Sequence, residues 1–502
     1  MPNEEARDPD RGVDLAAAAD HRVSTSSVAR SVLSTAVRGI DPSIATSISA
    51  VSNWRSDYIR PFRDLVVLGA RSSEHADSIA RSGLAELHRQ SRFVRDGDVI
   101  PLAHALASFR EPAYSSVTIS GRAGRDPGLS VPYRGKRLFG LEVRKRLDAW
   151  TSAGVVEPGF TQAINDVLDN PGWLDLSDIT VVVLGAGSEM GPLRSLLRWG
   201  AHVVAVDLPR PELWRRIIDV ARSSAGRVTI PIPLGSAPQD DDAVAAIAGV
   251  DLIRSLPEVH TWLAGLEGPY TLGTYTYADG ATHLRVALAA DALAAGLTSE
   301  RSDIGLAFLA TPTDVYAVSA DAVAESRRRW EARGLSGIAQ LPLRITGHFA
   351  PNYPDTINTD HGEIGIADCL VTQQGPNYAL AKRLQRWRAT TSRHDGVWTS
   401  LNVAPATRTR SVVKNRALAA AYSGAHRFGV EVFDPATSNT VMAALLVHDL
   451  RSSGSLARPD AELPHPDHAW AIQAAHAGLW RSAYAPRSVL GIAAALGLVT
   501  RG

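Results

Sequence analysis

The chain has one cysteine, Cys369, in 502 residues. A lone thiol cannot close an intrachain disulfide, so a cystine-stapled framework is excluded and a reducing compartment is expected. Net charge is missing too. The 52 basic and 52 acidic residues cancel, and nothing in the balance favours nucleic acid or an anionic membrane as partner. No run approaches the ~20 uncharged apolar residues that span a bilayer; "TVMAALLV" at 440–447 is the best candidate and is far too short. The first residues, "MPNEEARDPDRGVDLAAAAD", lack the basic start and long apolar run of a secretory signal. A soluble cytoplasmic protein is the expectation. Lysine is the last scarcity: the basic residues are nearly all arginine, with only Lys136, Lys145, Lys382 and Lys414 as exceptions.

What is present is a chain 45% hydrophobic, long enough for two or three domains and a large core. Residues 1–25 are charged and alanine-rich and are expected to be disordered. Residues 26–170 read as a mainly helical extension that packs on the main domain or makes a homo-oligomer. Within it "RDLVVLGA" has the look of a strand, while "KRLFGLEVRKRLDAW" sets Leu138, Leu141 and Leu147 among basic residues as an amphipathic helix would. "DNPGWLDLSD" at 169–178 punctuates the boundary.

From 171 to 452, strand-like and helix-like stretches alternate: "TVVVLGA", "AHVVAVD", "PELWRRIIDVARSS", "RVTIPIPL", "YTLGTYTY", "ATHLRVALAADALAAG" and "DIGLAFLAT". This rhythm predicts an α/β fold with a doubly wound parallel sheet, Rossmann-like in character. An insertion at about 314–370 includes a stretch from about 334 rich in Gly, Pro, Asn, Asp and His, which reads as a long ordered loop and a lid over the substrate. Residues 453–502 are expected to form a C-terminal helical cap or interface segment.

"VVVLGAGSEMG" carries the first chemistry. A strand that must turn sharply into a helix can bring backbone N–H groups against a pyrophosphate. Gly185 and Gly187 would permit the turn and the close approach, and Gly191 would let the helix pack on the strand. Ser188, Glu189 and Met190 complete the cradle. The next strand ends in Asp207, twenty residues after Gly187, where an acid accepts hydrogen bonds from adenosine ribose hydroxyls, with Leu208 beside it. An acid there prefers NAD, and Arg210 softens that preference enough to keep NADP open. S-adenosylmethionine-dependent methyltransferases also place a glycine turn and an acid in this order.

"GPNYALAKRLQRWRA" puts Tyr378 and Lys382 at i and i+4 on one helix face. A phenol with a pKa near ~10 is a poor acid–base catalyst at neutral pH, and a nearby cation favours its ionised form. Tyr378 would exchange a proton with a substrate oxygen, and Lys382 would lower its pKa while donating to coenzyme ribose hydroxyls.

Glycine turn, strand-ending acid and a downstream Tyr-x-x-x-Lys together resemble the short-chain dehydrogenase/reductase superfamily, in an atypical and enlarged form. The similarity runs over about 178–452. It implies hydride transfer between NAD(P) and a carbonyl/alcohol pair, with a small-molecule substrate. In that family a strand and a proline-containing loop follow the Tyr–Lys helix, with a threonine that holds the nicotinamide amide. Here "DGVWTSLNVAPATRTRS" follows, which implies coenzyme contacts from Pro405 and Thr407; Ala278, in the "YADG" that stands for the family's strand-four motif, implies another. The pattern also departs. Glu189 stands where glycine is usual. The serine expected about thirteen residues before the tyrosine is absent, with Gly365 and Ile366 in its neighbourhood. Thr311 or Thr313, after the strand "LAFLA", would then supply the hydroxyl, with Thr372 a weaker candidate. A methyltransferase, or a non-catalytic dinucleotide-binding protein, is the alternative.

No metal is expected. "GHFAPNYPDTINTDHGEIGIADC" holds His348, Asp355, Asp360, His361, Glu363, Asp368 and Cys369, but without HExxH or paired-cysteine spacing. His465, His468 and His476 are assigned to the cap. "RTRSVVKNR" and "ESRRRWEARG" lack interleaved aromatics and read as solvated basic faces.

Overall fold

The computed structural model describes residues 12–15, 24–359, 362–463 and 465–499. The protein is mixed α/β, with a mostly parallel central sheet and many helices. We number the seven strands of that sheet in chain order: β1 Tyr114–Ser120, β2 Thr180–Leu184, β3 His202–Val206, β4 Arg227–Pro233, β5 Tyr270–Thr274, β6 Ile304–Ala310 and β7 Thr399–Val403. Their spatial order is β7-β6-β5-β2-β3-β4-β1. Six are parallel, and β1 pairs antiparallel with β4 at the edge, Val117 opposite Ile230.

The inner strands are runs of Val, Ile, Leu and Ala whose successive residues are all buried, as in "VVVL" of β2 and "VVAV" of β3. Side chains of a strand alternate between faces, so unbroken burial means that both faces of the sheet are covered. Helices do the covering. Pro211–Arg222 packs on Leu193–Arg198, which packs on Pro435–Arg451; Leu256–Ala264, Gly280–Glu300 and Pro376–His394 pack in a second series. Pro435–Arg451 is buried from Thr437 to Asp449, as expected of a helix enclosed on all sides.

Strand order reverses between β2 and β5: the chain builds β3 and β4 to one side of β2, then returns to build β5, β6 and β7 on the other. The loops leaving β2 and β5 therefore diverge, opening a crevice at their carboxyl ends.

Several expectations are corrected. The 26–170 segment is mostly helix, but it is not helix alone. It supplies β1 of the central sheet, a hairpin of Ser130–Tyr133 with Lys136–Phe139, and the strands Ser91–Arg95 and Asp98–Pro101. "RDLVVLGA" is helical, inside Ile59–Gly69, because Phe62, Leu65, Val66, Leu68 and Gly69 bury one stripe. In "KRLFGLEVRKRLDAW" a strand and a helix meet at Gly140. Leu141 consequently lies exposed while Leu147 is buried. In the segment expected to be disordered, Gly12–Leu15 pairs with Ser91–Arg95; residues 1–11 and 16–23 lie outside the described residues.

The 334–370 stretch is not one loop. It holds the short helices Leu335–Ala339 and Leu341–Arg344, and the strand Gly362–Asp368, which pairs antiparallel with Val315–Ser319 on one side and with the strand Thr356–Thr359 on the other. Its described Gly, Asn and Asp residues fall both inside these elements, as Gly337, Asn358, Gly365 and Asp368 do, and between them, as Gly347, Asn352 and Asp355 do. Among the described residues no helix is long and apolar enough to cross a membrane.

Candidate functional site

A cleft of about 3000 Å³ occupies the crevice, several times the ~300–1,000 Å³ of an ordinary small-molecule pocket. Its walls are the turn after β2, the end of β3, the loops after β5, β6 and β7, and the start of helix Pro376–His394, with Thr25, Arg55 and Arg95 contributed by the N-terminal segment.

The turn after β2 crosses Gly185 at φ +83, a left-handed conformation that disfavours any residue with a side chain. A Cβ there would also meet the Tyr275 carbonyl oxygen at 2.9 Å. The glycine is thus set by backbone passing close to backbone. Asp207 closes the turn from β3: Gly187 N–H donates to its Oδ2 at 2.8 Å and Leu208 N–H to its Oδ1 at 2.8 Å. Burial pushes the Asp207 carboxyl above the usual carboxylate range, against the pull of these hydrogen bonds. The role expected of Gly191 is corrected. A Cβ there would approach nothing closer than 3.4 Å, so it makes no tight contact with the strand; its carbonyl accepts from the Asn439 amide instead. Glu189 reaches to the loop after β7, where Arg410 N–H donates to its Oε2 at 2.8 Å.

The second half of the cleft gathers the ionisable groups. Helix Pro376–His394 starts after Gly375 at φ +81, with proline at its first position. Its first turns place Tyr378 and Lys382 on the cleft, and Lys382 Nζ lies 5.9 Å from the centre of the Tyr378 ring. Thr311, just beyond β6, stands beside the Tyr378 hydroxyl and pulls the phenol's pKa down. Thr313 extends the chain: its Oγ1 is 2.8 Å from that of Thr311 and accepts from Gln374 Nε2 at 2.8 Å. His283 stacks on Tyr378, and Tyr277 meets the same ring edge-on.

The electrostatics differ from the sequence reading. Burial pushes the Tyr378 phenol well above its ordinary value, and the chief influence pulling it down is Thr311 rather than Lys382. Lys382 bears the larger consequence: burial pushes its ammonium down to about 8, with Asp314 pulling the other way. Lys382 donates to Gln385 Oε1 at 3.1 Å and to the Leu309 carbonyl at 3.4 Å.

Asp314, 2% exposed, anchors this helix. Its two oxygens each lie 3.0 Å from a guanidinium, of Arg383 and of Arg386, and Arg386 continues to Asp467 at 2.9 Å. Behind it, His476 and Arg481 clasp Glu157 and hold its carboxyl down at about 2 although it is buried. The 453–499 segment is thereby tied into the body of the molecule.

Of the remaining expected residues, Ser188, Met190, Leu208, Ala278 and Pro405 all line the cleft. Thr407 lines the cleft too; its hydroxyl donates to the Pro405 carbonyl at 2.7 Å and lies 2.6 Å from Ser438 Oγ. Thr372 is on the cleft rim, 3.3 Å from Gln373. Gly365 and Ile366 are on the strand Gly362–Asp368, away from the cleft lining. The acid- and histidine-rich stretch is dispersed: His348 meets Thr346, Glu363 meets Thr356 and Asp368 meets Arg487. Asp360 and His361 lie outside the described residues. Sequence reading missed His283, Thr276, Gln374 and Arg410, which no local spacing marks; only the fold brings them to the cleft.

No family model matches the chain, and a search of curated proteins finds no match.

Proposed function

We propose that the protein is a nicotinamide-dinucleotide-dependent oxidoreductase of Rossmann-like, doubly wound fold, related in design to the short-chain dehydrogenase/reductases. The observation that carries this reading is the convergence of Thr311, Tyr378 and Lys382 in one cleft with the Gly185–Gly191 turn and Asp207. The six parallel strands support the fold: in order of appearance they read 6-5-4-1-2-3 across the sheet, the dinucleotide-binding order viewed from the other side.

The chain offers what such a coenzyme needs. The Gly185 cradle leaves no room for a Cβ. Thr276 Oγ1, buried beside the turn and on the cleft wall, has no protein partner, a costly state for a buried hydroxyl that a ribose hydroxyl would relieve. Gly185, Gly187, Asp207 and Thr276 would hold the adenosine half, and Lys382, Ala278 and Pro405 the nicotinamide half. When bound, the coenzyme supplies or accepts the hydride.

The protein's own part is proton handling and alignment. Tyr378, held protonated by burial, donates its proton to the oxygen of a carbonyl as that carbon is reduced. Thr311 stabilises the phenolate left behind, and the Lys382 ammonium lowers the cost of its charge. In alcohol oxidation the proton runs the other way. NAD is the favoured coenzyme, with NADP the variant that Arg210 and Arg216, near Asp207, would accommodate. The methyltransferase alternative has no use for the Thr311–Tyr378–Lys382 group.

Calorimetric titration with NAD(H), NADP(H) and S-adenosylmethionine tests the reading, followed by turnover on a panel of aldehydes and ketones. Binding of a nicotinamide dinucleotide with turnover is expected. Absence of nicotinamide-dinucleotide binding, or binding without turnover, overturns it.

A further inference from the structure

His283 lies in the first turn of helix Gly280–Glu300, which follows β5 across the loop 275–279. Its imidazole is nearly parallel to the Tyr378 ring, with centroids 5.1 Å apart and planes at 16°. Tyr277 approaches both rings, at 5.4 Å from His283 and 6.4 Å from Tyr378. The residue is 1% exposed. Its Nδ1 accepts the Ala278 N–H at 3.3 Å, which assigns the ring proton to Nε2, and Nε2 has no hydrogen-bond partner. Burial, with the Lys382 ammonium nearby, pushes the imidazole down to about 3, so it carries no charge at neutral pH.

These facts exclude use of the histidine as a general base. A ring with its acceptor nitrogen occupied cannot take a proton as base. A ring in face-to-face contact with the phenol has neither nitrogen directed at the phenol hydroxyl. What it offers Tyr378 is a flat, uncharged surface.

Rotation of a tyrosine ring about χ2 leaves the hydroxyl oxygen on its axis, but swinging the side chain about χ1 between rotamer wells, or sliding the ring sideways, would carry the hydroxyl off Thr311. Proton transfer tolerates little of that, since a misplacement near ~1 Å costs on the order of 100-fold in rate. Resting on the oxidoreductase reading, we propose that His283 is a positioning residue: a stacking plate that stops Tyr378 swinging about χ1 and keeps its hydroxyl beside Thr311. Neutrality is part of the design, because an imidazolium there would oppose the Lys382 charge. Stacked rings with offset faces attract, so the plate restrains the tyrosine without using a hydrogen bond the substrate needs.

The test uses full-length protein carrying fluorotyrosine, with the residue 378 resonance identified by its loss in Tyr378→Phe. His283→Ala removes the plate, His283→Leu fills its volume without a flat face, and His283→Phe restores the face without nitrogens. The expected result is a displaced 378 resonance in the Ala and Leu variants and a near-native one in Phe. In parallel, kcat falls about 10- to 100-fold in Ala and Leu, with coenzyme affinity and substrate KM changed less than about threefold, and recovers in Phe. An unmoved resonance, an unchanged kcat, or a Phe variant as impaired as Leu overturns the proposal. If wild type binds coenzyme but turns over no carbonyl, the oxidoreductase reading falls, and the resonance alone judges the plate. If Ala fails to fold, the Leu–Phe comparison decides.

Discussion

Glu189 of the glycine turn and Arg410 of the loop after β7 form a two-point bridge: Arg410 N–H donates to one carboxylate oxygen at 2.8 Å and its Nε lies 3.2 Å from the other. Arg410 is 76% exposed on its side chain and Glu189 32%, and pairs this wet add only about 0–1 kcal/mol to folding. Their value lies in the cleft. Under the proposed function, a carboxylate beside the coenzyme pyrophosphate would repel it, and Arg410 would cancel that charge. Arg410→Ala should therefore raise the dinucleotide Kd about tenfold, and Glu189→Gln should lower it severalfold. Both effects should shrink as salt rises, with Tm unchanged. Calorimetry at two ionic strengths checks this.

Thr311 is predicted to replace the serine missing upstream of Tyr378. Thr311→Ser keeps a hydroxyl and should hold kcat within about threefold. Thr311→Val removes it, leaves the phenol without its main pKa-lowering contact, and should cost about 10²-fold, the lower range for acid–base assistance. Equal rates for the Ser and Val variants would remove Thr311 from the mechanism.

The centre of the sheet was legible because its strands are short apolar runs, each followed by turn residues and an amphipathic stretch, and this pattern survives any detail of packing. Tyr378 and Lys382 were legible because a helix converts a spacing of four into a shared face. The edge was not. "YSSVTIS" of β1 has few apolar residues and becomes a strand only by pairing with β4, a contact over a hundred residues away in the chain. Ile59–Gly69 misled because five successive residues, "DLVVL", imitate a buried strand while the burial follows a helical stripe. The phenol's electrostatics were misjudged for a related reason. Spacing places a lysine near a tyrosine but says nothing about burial, which here outweighs the lysine's charge.

Lys382 should give the pH profile its upper limb. Its ammonium is held down at about 8 in the folded protein against an ordinary value near ~10.4. Activity that needs the charged form should fall as pH rises through about 8 in kcat/KM. In kcat the fall should come later, since an anionic coenzyme favours the ammonium. Stability moves the opposite way. Between about 8 and ~10.4 the unfolded chain binds a proton that the folded chain has lost, so the free protein gains stability with rising pH across that window. Lys382→Met should abolish both trends, and denaturant titrations from pH 7 to 10 with matching rate profiles measure them.

Asp314 supplies the strongest structural prediction. One carboxylate faces two guanidinium groups in the interior, and neither Arg383 nor Arg386 exposes more than 3% of its side chain. Removing a buried charge's partner costs about 3–5 kcal/mol, because the remaining charge stays buried without compensation. Here two cations would be left, with Asp467 reaching only Arg386. Asp314→Ala should therefore destabilise by at least that amount in urea unfolding. Replacing all three residues with Asp314→Leu, Arg383→Met and Arg386→Met should recover much of the loss, since no charge is then stranded. Turnover should separate the two. The triple variant regains stability, but helix Pro376–His394 loses the clamp that holds its register against β6, and Tyr378 and Thr311 lie on opposite sides of that joint. If the triple variant recovers full kcat along with its Tm, the clamp serves folding alone.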